Sequence, residues 1–201
     1  MLDRMPSPST ARAPSTARGS ATSRRILDVA AGEFAERGIA GARIDRIVAA
    51  ARTNKAQLYG YFGSKDGLFD AVVADCAESL VAAGVFAGTT LADSAVRLYD
   101  EYLRRPELVR LTAWIRLERH PVGLAFDRST LEPKLAAIAA AQAAGEVRAG
   151  DPLDLLAMVS AMAGAWSPVS TTYTATADEP ESEHDRRRAL LRESVERAVA
   201  P

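Results

Sequence analysis

Apolar residues recur at helical spacing along most of the chain. Ile26, Leu27, Ala30, Ala31 and Phe34 repeat at i, i+4 and i+8 with a flanking stripe, which predicts a one-sided helix over 22–37. Gly38 follows where a helix end favours a residue in the left-handed region. Ile44, Ile47, Val48 and Ala51 fall at i, i+3, i+4 and i+7, a second and short helical pattern. Asn54 is a good N-cap with Gln57 three residues on, close to a capping box, and opens a brief helix over 55–61. Ser64 caps the next helix, which carries Leu68, Phe69, Val72, Val73, Cys76 and Leu80 along one face. Compact helices this close together, joined by short turns, describe a helix-turn-helix module.

Beyond Gly84 the pattern stays helical, with helices predicted over 89–104, 106–119, 128–144, 152–166 and 183–199. Pro106, Pro121, Gly145, Pro152, Pro168 and Pro180 mark the breaks. There is no internal repeat, no strand alternation and no phosphate-cradling glycine loop. The fold class is all-α: an N-terminal three-helix helix-turn-helix domain joined to a larger helical domain. Aromatic residues make up only 6% of the chain, so the cores are thin and close-packed. Residues 1–21 are rich in Ser, Thr, Pro, Ala and Arg and read as a disordered basic arm, because they bury too little to offset their ordering entropy. The expected organisation is therefore 1–21 arm, 22–67 helix-turn-helix domain and 68–201 body.

A single cysteine excludes a disulfide within the chain. The longest apolar stretch, residues 155–166, is interrupted by Ser160 and falls short of the roughly 18 residues of a membrane span. The N-terminus has no apolar core of a signal peptide, so a cytoplasmic protein is the default expectation. The net charge of −1 hides an asymmetry. Residues 1–65 hold eleven Lys and Arg against five acids, and the remainder fourteen against twenty-one. A basic first third on an acidic body points to a polyanion partner for that third alone.

The first turn of the short helix carries Lys55 and Gln57, with Thr53 and Asn54 just before it. The N-terminal residues of a recognition helix are those that reach base edges. Gln bonds adenine bidentately and Lys addresses guanine; alternatively, Gln57 folds back on the Asn54 backbone N–H as its capping partner. Tyr59 and Tyr61 carry hydroxyls suited to phosphates, although one of the two is also needed to seal the short helix to the first. Lys65 stands in the first turn of the following helix, where its ammonium opposes the local dipole and a phosphate would relieve it.

The run Leu58-Tyr59-Gly60-Tyr61-Phe62-Gly63-Ser64-Lys65-Asp66-Gly67-Leu68 resembles the DNA-binding domain of TetR-type transcriptional repressors. That family's usual run reads Leu-Tyr-x-Tyr/His-Phe-x-x-Lys-x-x-Leu, and its preceding Ile-Ala-x-x-Ala-Gly-Val-Ser-Lys corresponds here to residues 47–55. The resemblance covers residues 22–70. It implies a homodimer whose two modules bind adjacent major grooves of a palindromic operator in double-stranded DNA. It further implies that the remaining helices form a ligand-binding and dimerisation domain, and that a small-molecule inducer releases the DNA. In the family, residues matching Lys55, Gln57, Tyr59, Tyr61 and Lys65 contact DNA. Three departures stand out. Arg52 replaces the usual turn glycine, so the turn takes a less strained path or Arg52 adopts the left-handed conformation at some cost. Arg43 replaces a threonine that meets phosphate, and offers a longer reach. Gly60 gives up one possible contact. The candidate DNA-binding residues are thus Arg43, Thr53, Asn54, Lys55, Gln57, Tyr59, Tyr61 and Lys65.

In the body, Tyr102, Trp114, His120, Phe126, Met158, Met162 and Trp166 are candidates to line a ligand pocket. Each reads equally as plain core, and His120 beside Pro121 as a cap or surface residue. Two histidines 64 positions apart and a lone cysteine on an apolar face make no metal site, and no cofactor is implied. Leu153, Leu156, Ala157, Ser160, Ala161 and Gly164 form a small-residue stripe that permits close helix approach. With Leu190, Leu191, Ser194, Val195 and Val199 it makes the last two helices the expected dimer contact. Two rival readings remain: a small all-α enzyme, although no catalytic spacing of Ser, His, Cys or carboxylates appears, and an interaction protein that kept the fold without binding DNA.

Overall fold

A computed structural model describes residues 17–83, 89–119, 123, 129 and 131–201; the expected arm lies largely outside them. The described residues hold nine α-helices and no strand. In chain order these are α1 (Ala17–Gly41), α2 (Ile44–Ala50), α3 (Lys55–Phe62), α4 (Lys65–Ala83), α5 (Leu91–Arg104), α6 (Pro106–Arg119), α7 (Glu132–Ala143), α8 (Pro152–Ala163) and α9 (Glu181–Val199). The all-α class expected from periodicity is the observed one. The chain forms two compact units, one up to Asp75 and one from Cys76, and the division falls inside α4.

In the first unit, Ile26, Ala30 and Phe34 of α1 are fully buried with Ile47 of α2, Leu58 of α3 and Leu68 and Phe69 of α4. The Phe34 and Phe69 rings meet edge to face at 5.1 Å, an arrangement that adds to their area burial. Helix α1 starts five residues before the expected position and is interrupted at Gly38, whose φ is 68°. The positive φ is the expected one, but ψ of −179° extends the chain instead of turning it back, so a last turn follows before α2.

Helix α2 ends in a Schellman turn. The Thr53 N–H donates to the Val48 carbonyl at 3.0 Å and the Arg52 N–H to the Ala49 carbonyl at 3.2 Å. This closure requires a left-handed residue at position 52, and Arg52 supplies it with φ 50°. Helix α3 ends at Gly63, φ 74°, and Ser64 then caps α4 by accepting the Gly67 N–H at 2.9 Å. A Cβ at Gly67 would stand 2.2 Å from the Phe62 carbonyl oxygen, so the α3–α4 junction closes only around a glycine.

The second unit is built around α5, which packs on α8 and α9, with α7 against α8. Leu91, Ala95, Tyr99, Ile138, Val159, Leu191 and Val195 form its core. The Tyr99 hydroxyl lies 2.8 Å from His184 Nδ1, and its ring meets Trp166 edge to face at 5.8 Å. Buried Arg187 donates to Glu179 at 2.6 Å and lies over the Tyr173 ring. Thr90 and Asp151 cap α5 and α8 by accepting the Asp93 and Leu153 N–H groups. Helix α6 has the predicted bounds, with Pro106 at its first position where a missing N–H costs nothing.

Two substitutions are expected to move stability in opposite directions. Gly67→Ala forces its methyl onto the Phe62 carbonyl and lowers the free energy of unfolding by about 1–3 kcal/mol. Arg52→Gly relieves the left-handed arginine and raises it by about 0.5–1 kcal/mol. Urea unfolding followed by circular dichroism measures both, and a loss of stability in Arg52→Gly would show that the side chain contributes more than the strained backbone costs.

Candidate nucleic-acid interface

The short helices α2 and α3 are held in place by three polar anchors on α1 and the turn. Glu33, almost buried, accepts the Arg43 backbone N–H at 2.9 Å and Arg46 Nε at 2.8 Å, which fixes the start of α2 on α1. The hydrogen bond from Arg46 holds the Glu33 carboxyl below the usual carboxylate range, against the opposing effect of burial. Arg25 Nε donates to the Ala51 carbonyl at 2.7 Å and ties α1 to the turn ahead of α3. Asn54 Oδ1 accepts the Gln57 N–H at 2.9 Å and caps α3.

On this platform α3 buries Leu58 and Phe62 and exposes Lys55, Ala56, Gln57, Tyr59 and Gly60. The two small residues, Ala56 and Gly60, sit one turn apart in the middle of that exposed arc. A Cβ at Gly60 would meet nothing within 4 Å, so the centre of the face is open. Lys55 and Tyr59 flank it on one side and Gln57 on the other. The Gln57 side chain lies against Thr53, whose hydroxyl donates to Gln57 Oε1 at 2.6 Å. Its backbone, not its amide, takes part in the cap.

The cations of this unit are mostly engaged. Lys55 Nζ pairs with Asp45 at 2.7 Å, which raises its pKa. Lys65 Nζ donates to the Ala40 carbonyl at 3.4 Å. Arg24 bridges Asp28 and Asp75. The Arg43 and Arg52 side chains are exposed. Tyr59 is 42% exposed, whereas Tyr61 is half-buried with its ring edge toward Phe62, 6.1 Å away. Arg43, Thr53, Asn54, Lys55, Gln57 and Tyr59 thus share the surface formed by α2, the turn and α3, and Tyr61 and Lys65 follow at the α3–α4 end. Glu33 and Arg25 organise this surface, and neither stands out in the sequence, since each looks like one charge on the polar side of α1.

In the second unit, Tyr102 and Trp166 line one small void of about 10 Å3 with Tyr99 and Leu103. Met162 packs half-buried against the core, Met158 is exposed on α8, and Trp114 is half-buried on α6. His120 and Phe126 lie outside the described residues. A larger cleft opens elsewhere in this unit, lined by none of these residues.

Residues 26–72 match the family described as bacterial regulatory proteins, tetR family, and residues 90–197 match the tetracyclin repressor-like C-terminal domain. The HTH-type transcriptional repressor SCO4008 of Streptomyces coelicolor is 37% identical over 153 residues, 74% of this chain and 79% of its own length. The HTH-type transcriptional repressor NicS of Pseudomonas putida is 35% identical over 99 residues, 46% of this chain and 47% of its own. Among solved structures, SCO4942 of Streptomyces coelicolor, described as a transcriptional regulator, superposes with a TM-score of 0.70 at 34% identity, covering 89% of this chain and 98% of that one. A TetR family transcription regulator from Marinobacter aquaeolei VT8 shares the fold at a TM-score of 0.70 and 20% identity, covering 91% and 97%.

The depressed Glu33 carboxyl makes stability depend on pH with a definite sign. A carboxylate whose folded pKa lies below its unfolded value contributes stability above about pH 4.5, lost as pH falls through the folded pKa. Glu33→Gln is expected to be less stable than the parent at neutral pH, with the gap closing in acid. Urea midpoints measured from pH 7 down to about pH 3 test this, and a gap independent of pH would remove Glu33 from the role of charged anchor.

Proposed function

The chain belongs to the TetR family of bacterial regulatory proteins, and on that premise we propose that it is a cytoplasmic repressor that binds a palindromic operator as a homodimer and is released by a small molecule. The observation that carries the reading is the exposed face of α3: small residues at its centre, Lys55, Gln57 and Tyr59 around them, and an over-determined turn behind. Ala56 and Gly60 let the helix approach the floor of a major groove, where an alanine methyl suits a thymine methyl. Lys55 exchanges Asp45 for a base or phosphate, and Arg43, Tyr59, Tyr61 and Lys65 meet the backbone. The family is one of transcription regulators, not enzymes, and both curated relatives are repressors by description.

Thr53 gives Gln57 a defined polarity. With the Thr53 hydroxyl on Oε1, the amide Nε2 is turned outward as a donor, and Oε1 keeps one lone pair for a base. Met158 and Leu190, exposed on α8 and α9, supply an apolar patch for a second copy in the manner of the family, with exposed Ala157 and Ala161 allowing close approach. The two recognition helices of such a dimer must sit about 34–36 Å apart to meet successive major grooves, so a displacement of a few ångströms breaks register.

Selection of bound duplexes from a random pool tests the whole reading. The expected result is a palindrome with half-sites one helical turn apart; no enrichment at low salt would favour an interaction protein that kept the fold. On the selected duplex, Tyr59→Ala and Lys65→Ala are expected to weaken specific and random DNA alike and to flatten the salt dependence, because phosphates carry no sequence information. Gln57→Ala is expected to relax one base position per half-site by about 1–3 kcal/mol. Thr53→Val, which frees the Gln57 amide, is expected to alter preference at that same position; an unchanged preference would separate Thr53 from base reading.

A further inference from the structure

The second unit carries a cleft of about 310 Å3, within the size range of small-molecule sites. It opens where the start of α5, α7, the 145–150 loop and the end of α9 meet. Leu91, Ile138, Ala141, Val147 and Val199 make an apolar wall, and two carboxylates, Glu146 and Glu196, complete the lining together with small and hydroxyl-bearing residues. Among the described residues, no Lys, Arg or His lines the cleft. Both glutamates are exposed, and neither has an ion-pair partner among the described residues.

The backbone holds Glu146 in this position. Helix α7 ends in a second Schellman turn, with the Gly145 N–H donating to Gln142 and the Glu146 N–H to the Ala141 carbonyl, both at 3.0 Å. Gly145, φ 72°, is the left-handed residue this needs. The Gln142 amide donates to the Arg148 and Gly150 carbonyls at 2.9 and 3.0 Å, and the Arg148 N–H donates to Val199 at 2.9 Å. These bonds pin the loop across the end of α9 and bring Glu146 to the cleft that Glu196 also lines. Arg197, next to Glu196 in sequence, pairs with Glu193, and Arg192, one turn back, is bound by Asp93 while the Glu196 charge also acts on it.

We infer that this cleft binds an organic cation: a small apolar body carrying an amine or quaternary ammonium group. The wall buries the apolar part, and the two carboxylates face the positive end; Arg192, on which the Glu196 charge acts, is paired with Asp93 and stands outside the lining. An anion of the same shape would meet two like charges. A metal ion is a poor occupant, because much of the lining is apolar and no group of three or more metal-ligating side chains occurs among the described residues. None of the aromatic residues that the sequence suggests for a pocket lines this cleft. That the cation acts as the effector rests on the regulatory reading above; that it binds does not.

The experiment titrates the purified full chain with three probes sharing one apolar body: 4-phenylbutylamine, 4-phenylbutanol and 4-phenylbutyrate. Calorimetry is expected to show saturable binding of the amine, weaker binding of the alcohol and none of the acid, with the amine's advantage shrinking as salt rises. Glu146→Gln and Glu196→Gln, both at exposed positions, are each expected to weaken the amine about three- to fivefold and leave the alcohol unchanged. Ala137→Trp, at a half-buried lining position, fills the cleft and is expected to abolish both. Equal affinity for amine and alcohol, indifference to the two Gln variants, or no saturable amine binding would each overturn the inference. Release of the selected duplex by the amine is read separately. Amine binding by a protein that selects no DNA would keep the site and remove the regulatory reading.

Discussion

The angle between α2 and α3 is set by one turn, and the exposed surface of the N-terminal unit depends on it. Helices of seven and eight residues do not persist alone in water, since nucleation is costly and few bonds repay it. Their direction must come from the connection and from what they bury. Here the connection is fixed several times over: two Schellman bonds behind α2, the Arg25 guanidinium on the Ala51 carbonyl, and the Asn54 cap ahead of α3. The burial of Ile47, Leu58 and Phe62 accompanies the packing of both helices on α1 and on each other. Arg52 bears the conformational cost of the arrangement, about 1–2 kcal/mol for a left-handed residue with a side chain, and leaves its guanidinium in solvent.

Electrostatics shapes the same surface in a less obvious way. The acids of this unit are few, but Asp28, Glu33, Asp45 and Asp75 each hold a basic side chain. Counting charges along the sequence therefore overstates how much positive potential is free. Lys55 and Lys65 must each leave a partner, a carboxylate in one case and a carbonyl in the other, before they meet a polyanion. Such an exchange tempers non-specific attraction, and it leaves the exposed arginines Arg43 and Arg52 as the cations nearest the turn.

What was legible in the sequence follows the range of the forces involved. Local chemistry read well: α6 has both predicted ends, Asn54 and Ser64 cap the helices they were expected to cap, Gly38 adopts the expected positive φ, and Gly145 marks the break after α7. Helix α7 starts at Glu132 and not at 128, and α8 stops at Ala163 and not at 166, because periodicity does not register where the last turn loosens. The long-range contacts were not legible. Glu33 reaches residues 10 and 13 positions on, and Arg25 reaches a carbonyl 26 positions on. The cleft gathers residues 91, 138, 146 and 196, which no spacing rule connects. The fate of Gln57 lay between these cases. Its capping role was visible in the spacing, but its side chain went to Thr53, a choice decided by the geometry of the turn.

The rigidity of the N-terminal unit bears on how a ligand in the other unit can act. A ligand shifts an equilibrium only by its differential affinity for two shapes, and each tenfold shift requires about 1.4 kcal/mol. Remodelling the α2–α3 turn would break two backbone bonds, a guanidinium–carbonyl bond and a cap, and would expose side chains that are now fully buried. That exceeds what one small molecule commonly supplies through coupling, typically 1–3 kcal/mol. Moving the whole unit against its partner in the proposed dimer breaks none of these contacts. The cheaper response is therefore to change the spacing of two intact recognition helices, for which a major-groove register that tolerates only a few ångströms is a sensitive readout.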